Sequence, residues 1–171
     1  MSQFQIREFD NKDSESVFRF VSDIVGKEFN IKIDLEGLDS DLLYLREYYN
    51  KDDDGCFWIA EIKDSNKIIG TAAIRNLKQF HSACELKRMF VLKEYRKLGI
   101  GQKMLDVALD FARKVGYSKI LLYSSTDLKA ARMLYLKNGF VDIQRYNDDY
   151  RADVFMQRQL WHNIIKSLLT F

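Results

Sequence analysis

The chain has 171 residues, 47% of them hydrophobic, with 27 basic and 25 acidic side chains and a net charge of +2. That length suits one domain able to bury about two-thirds of its unfolded surface, and the hydrophobic content excludes a disordered chain. The near-balance of charge gives no global field toward nucleic acid, and no apolar run approaches the ~20 residues of a membrane span. The two cysteines, Cys56 and Cys84, lack metal-ligand spacing, so no metal is expected. With an opening Met1-Ser-Gln-Phe4 that carries no leader pattern, the expectation is a cytoplasmic protein with reduced thiols.

In chain order, Phe4–Arg7 reads as a first strand, and Asp13 or Ser14 as the cap of a helix whose Val17, Val21, Ile24 and Val25 share a face. A second helix is expected near Asp39-Ser40-Asp41, carrying Leu42, Leu45 and Tyr49 inward. Asp52-Asp53-Asp54-Gly55 marks a solvated turn. Phe57–Ile62 and Lys67–Ile74 form a hairpin through Asp64-Ser65-Asn66. A loop, Asn76–Cys84, leads to the strand Glu85–Leu92. The next helix places Ile100, Met104, Ala108, Phe111, Ala112 and Val115 on one face, and Gly116 stops it. Lys119–Tyr123 reads as a buried strand, and a helix Asp127–Asn138 turns Ala131, Leu134 and Tyr135 to one side. Phe140–Arg145 and Asp153–Gln159 close the sheet. The tail, about 159–171, has amphipathic helical spacing and packs on its own domain or on a second copy in a homodimer. No repeat or linker interrupts the chain.

The segment Arg96-Lys97-Leu98-Gly99-Ile100-Gly101 lies between a strand and a helix. Two glycines let an anion approach the main chain, and the N–H groups of the first helical turn point toward it. Arg96 and Lys97 add charge. A nucleoside-triphosphate loop would close with Gly-Lys-Ser/Thr, whereas Gln102 and Lys103 follow Gly101. A dinucleotide fingerprint would place a third glycine where Met104 stands.

Arg96, Gly99 and Gly101 instead match the Arg/Gln-x-x-Gly-x-Gly/Ala loop of motif A in the GCN5-related N-acetyltransferases. Ala131-Arg-Met-Leu-Tyr135-Leu-Lys-Asn-Gly139-Phe140 resembles motif B of the same family, in the right order and spacing. The resemblance implies a single domain over 1–171 with an acetyl-coenzyme A-binding core at about 84–141. It implies a mixed α/β fold: a mostly antiparallel sheet of about seven strands, helices on both faces, and a splay between two central parallel strands. The cofactor's pyrophosphate would sit at Arg96, Lys97, Leu98, Gly99, Ile100 and Gly101. Its pantetheine arm would pair with the backbone of Met89, Phe90 and Val91 like an added strand.

The implied activity is acetyl transfer from acetyl-coenzyme A to a primary amine by direct attack in a ternary complex. Glu85 lies eleven residues before Arg96, the spacing of the glutamate base in the histone-acetylating branch, and is the candidate base. Tyr135 corresponds to the motif B tyrosine that protonates the cofactor sulfur. A backbone N–H near Phe90–Val91 is the expected oxyanion donor. One departure stands out: Leu128 replaces an asparagine that many relatives use to bond the cofactor arm, leaving Thr126 or Asp127 as substitutes. Cys84 has no histidine at a recognisable spacing, since His81 lies in a loop and His162 in the tail, so covalent catalysis is not expected.

The acceptor region implied by the family is Gly26–Tyr49 with Asn76–Cys84. Asp34, Glu36, Asp39 and Asp41 with Tyr44, Tyr48 and Tyr49 suit a cationic amine, although solvated helix faces give the same composition. The acceptor is a small amine or a protein amine. A rival from another class, a non-catalytic acyl-coenzyme A sensor, keeps the same groove, and retention of Tyr135 and Glu85 favours the enzyme.

Overall fold

The computed structural model describes residues 3–160; the expected helix of the tail lies beyond them. Seven strands follow the order β1-β2-β3-β4-β5-β7-β6. They are β1 (Phe4–Glu8), β2 (Cys56–Ile62), β3 (Ile68–Asn76), β4 (Ala83–Val91), β5 (Lys119–Ser124), β6 (Val141–Asp142) and β7 (Val154–Gln159). The helices are α1 (Ser14–Asp23), α2 (Leu45–Tyr48), α3 (Ile100–Val115) and α4 (Lys129–Lys137). Two compact units share them: residues up to 75 with 87–108, and 76–86 with 109 onward.

In the first unit β1, β2 and β3 form an antiparallel meander, with Phe4 opposite Ile62 and Cys56 opposite Ile74. Asn66 takes the left-handed φ of +53° in the hairpin turn. The valines of α1 meet Leu42, Leu45 and Tyr49, and all pack with Phe57, Ile59 and Ala73 into one core. The helix entry differs from expectation. Asp13 holds the N-cap position of α1 but makes no side-chain cap bond there. Asp10 caps the preceding 3-10 turn, Asn11–Asp13, accepting from the Lys12 N–H at 3.1 Å, while the Asp13 carboxylate receives the Asp10 N–H at 2.9 Å. Asp13 is drawn away from capping α1 by Arg7, whose guanidinium bonds it at 2.7 and 2.9 Å and Glu61 at 2.8 Å twice. The second expected helix shrinks to a 3-10 turn, Ser40–Leu42, and the single turn of α2. Leu42, Leu45 and Tyr49 are buried as expected, and so, unexpectedly, are Asp39 and Asp41.

In the second unit β4 and β5 run parallel, pairing Ala83 with Lys119, Cys84 with Ile120 and Glu85 with Leu121. The ladder ends there, although β4 continues to Val91 and β5 to Ser124. On its other edge β5 pairs antiparallel with β7 along its full length. The expected strand Phe140–Arg145 is reduced to Val141 and Asp142, with one more backbone bond from the Ile143 N–H to the Phe155 carbonyl at 2.9 Å. Beyond it the Arg145 guanidinium donates to the Asp149 and Ala152 carbonyls at 2.9 and 2.6 Å, curling the chain out of the ladder. Gly116, at φ +101°, and Gly139, at φ +79°, end α3 and α4 in the left-handed region that favours glycine.

The face of α3 is broader than its spacing suggests. Leu105 and Leu109 are buried beside Ile100, Met104, Ala108 and Ala112, while Phe111 and Val115 are half-buried. Among the described residues no helix is long and apolar enough to cross a membrane.

Candidate active site

The 96–101 turn belongs to the first unit. A 3-10 turn, Lys93–Tyr95, leads into Arg96 in extended conformation. Lys97 then takes φ +63° and Gly99 φ +81°, and α3 begins at Ile100. Lys97, Leu98 and Gly99 are exposed, whereas Ile100 is buried and seats the helix start. A side chain carbon added at Gly99 would meet no atom within 4 Å. The space beside Gly99 is therefore open, and it adjoins the start of a sixteen-residue helix, the end at which helix amides lack intrahelical acceptors. These features fit a phosphate group. Arg96 shapes the turn as well as charging it: its Nε donates to the Val91 carbonyl at 2.9 Å and its Nη1 pairs with Glu28 at 2.5 Å.

The strand end before the turn is irregular. Arg88 adopts φ +50°, a left-handed residue inside β4, and its carbonyl accepts from Thr71 Oγ1 at 2.7 Å. Its guanidinium is buried, donating to Asp41 Oδ2 at 2.9 Å and Asp39 Oδ1 at 3.0 Å, with a second bond to Asp41. The Tyr49 hydroxyl also donates to Asp41. Burial pushes the Asp41 carboxyl up, but the Arg88 bonds outweigh it and hold the group at about 2. Next along β4, Met89, Phe90 and Val91 are half-buried. Gly70 allows the strand a close approach, since a Cβ there would lie 3.1 Å from the Phe90 carbonyl oxygen.

This network changes the reading of the acidic and aromatic residues at 34–49. Asp39 and Asp41 are buried structural partners of Arg88, Tyr49 is buried as a partner of Asp41, and Asp34 accepts the Leu38 N–H at 3.1 Å. Tyr44 and Tyr48 remain exposed with Leu43. The role of Arg88 as a hub carries no sequence signal, because its partners lie 47 and 49 residues away.

The second unit holds Glu85 and Tyr135. Glu85 is 0% exposed, and its Oε1 accepts from the Tyr146 hydroxyl at 2.8 Å. Tyr146 carries no sequence signal, standing 61 residues away in the segment after β6. Tyr135 is buried on α4, its ring 5.7 Å from that of Phe140, and burial pushes its phenol up to about 12. Near the start of α4, Thr126 is engaged: its N–H and Oγ1 both donate to Asp153, at 2.8 and 2.7 Å. Ser125 Oγ receives the Asp127 N–H at 3.2 Å. Cys84 is fully buried, and burial pushes its thiol well above the ordinary range, which removes it as a nucleophile.

A strand-turn-helix of this form, followed by a helix with Tyr135, has a known counterpart. The model of the acetyltransferase (GNAT) family matches residues 20–140. The chain belongs to the GNAT family. It is similar to the probable N-acetyltransferase camello of Xenopus tropicalis, with 33% identity over 103 residues, covering 60% of this chain and 46% of the relative. The chain thus spans about half the length of the curated relatives it matches. A solved GNAT acetyltransferase from Staphylococcus aureus Mu50 shares 30% identity at a TM-score of 0.85, covering 93% of this chain and all of the other. The PaiA N-acetyltransferase of Thermoplasma acidophilum, solved in complex with coenzyme A, shares the fold at a TM-score of 0.68 and 21% identity, covering 92% and 99% of the two chains.

Proposed function

We propose that the chain is an N-acetyltransferase that moves an acetyl group from acetyl-coenzyme A directly to a primary amine. The observation that carries this reading is the open turn at 96–101 on the start of α3, within a chain of the GNAT family. When bound, acetyl-coenzyme A supplies the acetyl group as an activated thioester. The amides around Gly99 and Gly101, with Lys97 and Arg96, bind the pyrophosphate. The backbone of 89–91 pairs with the pantetheine arm, and an N–H near Phe90–Val91 stabilises negative charge at the reacting carbonyl oxygen. Glu85 takes a proton from the amine, and the Tyr135 hydroxyl supplies one to the departing sulfur. Two buried free thiols, Cys56 and Cys84, suit a cytoplasmic setting.

The test is the thermal midpoint with and without acetyl-coenzyme A, followed by turnover on spermidine, glucosamine, and peptides offering an N-terminal or a lysine amine. Ligand at about 100 times its dissociation constant adds roughly 2.7 kcal/mol, a rise of several degrees. The rise should vanish when Gly99 and Gly101 are both replaced by valine. No rise at millimolar ligand would remove the assignment. A rise with no turnover on any amine would mark an acyl-coenzyme A sensor instead.

A further inference from the structure

We infer that Tyr146 relays the proton between the acceptor amine and Glu85, an inference that rests on Glu85 being the base of the proposed reaction. A base must exchange protons with its substrate, yet the Glu85 side chain is sealed, with 0% exposure. It is also fixed in place, since its backbone lies in the parallel ladder opposite Leu121. The Tyr146 hydroxyl donates to its Oε1 at 2.8 Å, and Tyr146 is only half-buried. Of the two residues, Tyr146 is the one that keeps some exposure.

Its geometry is held from several directions. The Tyr146 ring meets Phe155 edge-on at 5.6 Å, Phe80 edge-on at 6.1 Å and Tyr123 at 6.5 Å. The adjoining backbone is pinned by Arg145 through the Asp149 and Ala152 carbonyls. Two cations neighbour this cluster, Lys119 Nζ 5.7 Å over Phe80 and Arg145 4.6 Å over Phe155. A phenol that donates its hydrogen to Glu85 is also, by its chemistry, an acceptor.

The step balances. The ammonium nitrogen gives a proton to the Tyr146 oxygen as the Tyr146 proton passes to Glu85 Oε1. The products are a neutral amine, an unchanged phenol and a protonated carboxyl, which later returns its proton to solvent by the reverse path. The phenol oxygen can take the ammonium proton only as its own proton leaves for Glu85, so the two transfers are coupled.

The experiment compares Tyr146→Phe, Glu85→Gln and the double variant, using the best amine of the panel above. Each single variant should lose roughly 100-fold in kcat/KM for the amine at neutral pH, the scale of one general base. The double variant should lose no more than either single, because both belong to one path. The losses should shrink as pH nears the amine's ~10.4, where free amine needs no base. The acetyl-coenzyme A thermal shift should stay as in the parent.

A fully active Tyr146→Phe beside an impaired Glu85→Gln would overturn the relay and leave the base. A fully active Glu85→Gln would overturn both. Losses that multiply in the double variant would also exclude a shared path. The parent enzyme gives an independent reading in mixed light and heavy water: two protons in flight bow the plot of rate against deuterium fraction, and a straight line would sink the relay.

Discussion

In the proposed reaction Tyr135 must hold its proton until the departing sulfur takes it, and its burial suits that role. Burial alone raises its phenol to about 12, so the group stays neutral across the physiological range. A general acid of this kind contributes about 100-fold or more. Tyr135→Phe removes one oxygen from a buried position and leaves the ring contact with Phe140 intact. The expected outcome is a fall of roughly 100-fold in kcat with an unchanged thermal shift on adding acetyl-coenzyme A. Steady-state kinetics beside the melting curve checks both halves. An unchanged kcat would return Tyr135 to a packing role.

Among the elements, β4 carries most of the proposed chemistry, and it is the strand whose backbone departs most from regular form. Its left-handed residue is Arg88, held by Thr71 at the carbonyl and by Asp39 and Asp41 at the guanidinium. A buried pair broken on one side leaves the other charge uncompensated, at a cost of about 3–5 kcal/mol. Arg88→Met should therefore lower the urea unfolding free energy by that amount, and Arg88→Lys should recover little, since an ammonium cannot match a planar fork serving two carboxylates. Lysine restoring full stability would show that charge alone matters there.

The same strand shows what the sequence discloses and what it withholds. The 96–101 turn and Tyr135 were legible because a turn and one helical face are short-range patterns within a few residues. So were the strands, through alternation and apolar runs. The Arg88–Asp41 pair and the Glu85–Tyr146 bond were not, because they close over 47 and 61 residues and no local pattern encodes the pairing. The acidic run at 34–41 consequently read either as charge for a cationic amine or as a solvated face, and the extra residues of the sixth strand as pairing residues.

On the scale of the whole molecule these buried groups set a pH window for stability. On the acid side, Arg88 holds Asp41 at about 2 against its burial, from a usual 3.8. The Arg7 hydrogen bonds depress Asp13 and Glu61 as well. A depressed carboxyl stabilises fully above its unfolded value and loses that contribution as pH falls through the folded one. Stability should thus decline from about pH 4.5 downward, with Asp41 accounting for about 2 kcal/mol of it by pH 2. On the alkaline side the signs reverse. Burial lifts Cys56 from 9.0 to about 12 and Tyr135 from 10.0 to about 12, and Tyr49 and Cys84 also rise. Groups raised on folding stabilise below their unfolded values, and that stability drains as pH climbs from about 9 through 12. Urea midpoints measured from pH 2 to 11 should trace a plateau between about 5 and 9 with a fall on each side. Asp41→Asn should lower the plateau and flatten the acid limb, because the group that titrates there is gone. An acid limb of undiminished depth in that variant would show that other carboxylates, Asp13 and Glu61 first among them, govern the loss.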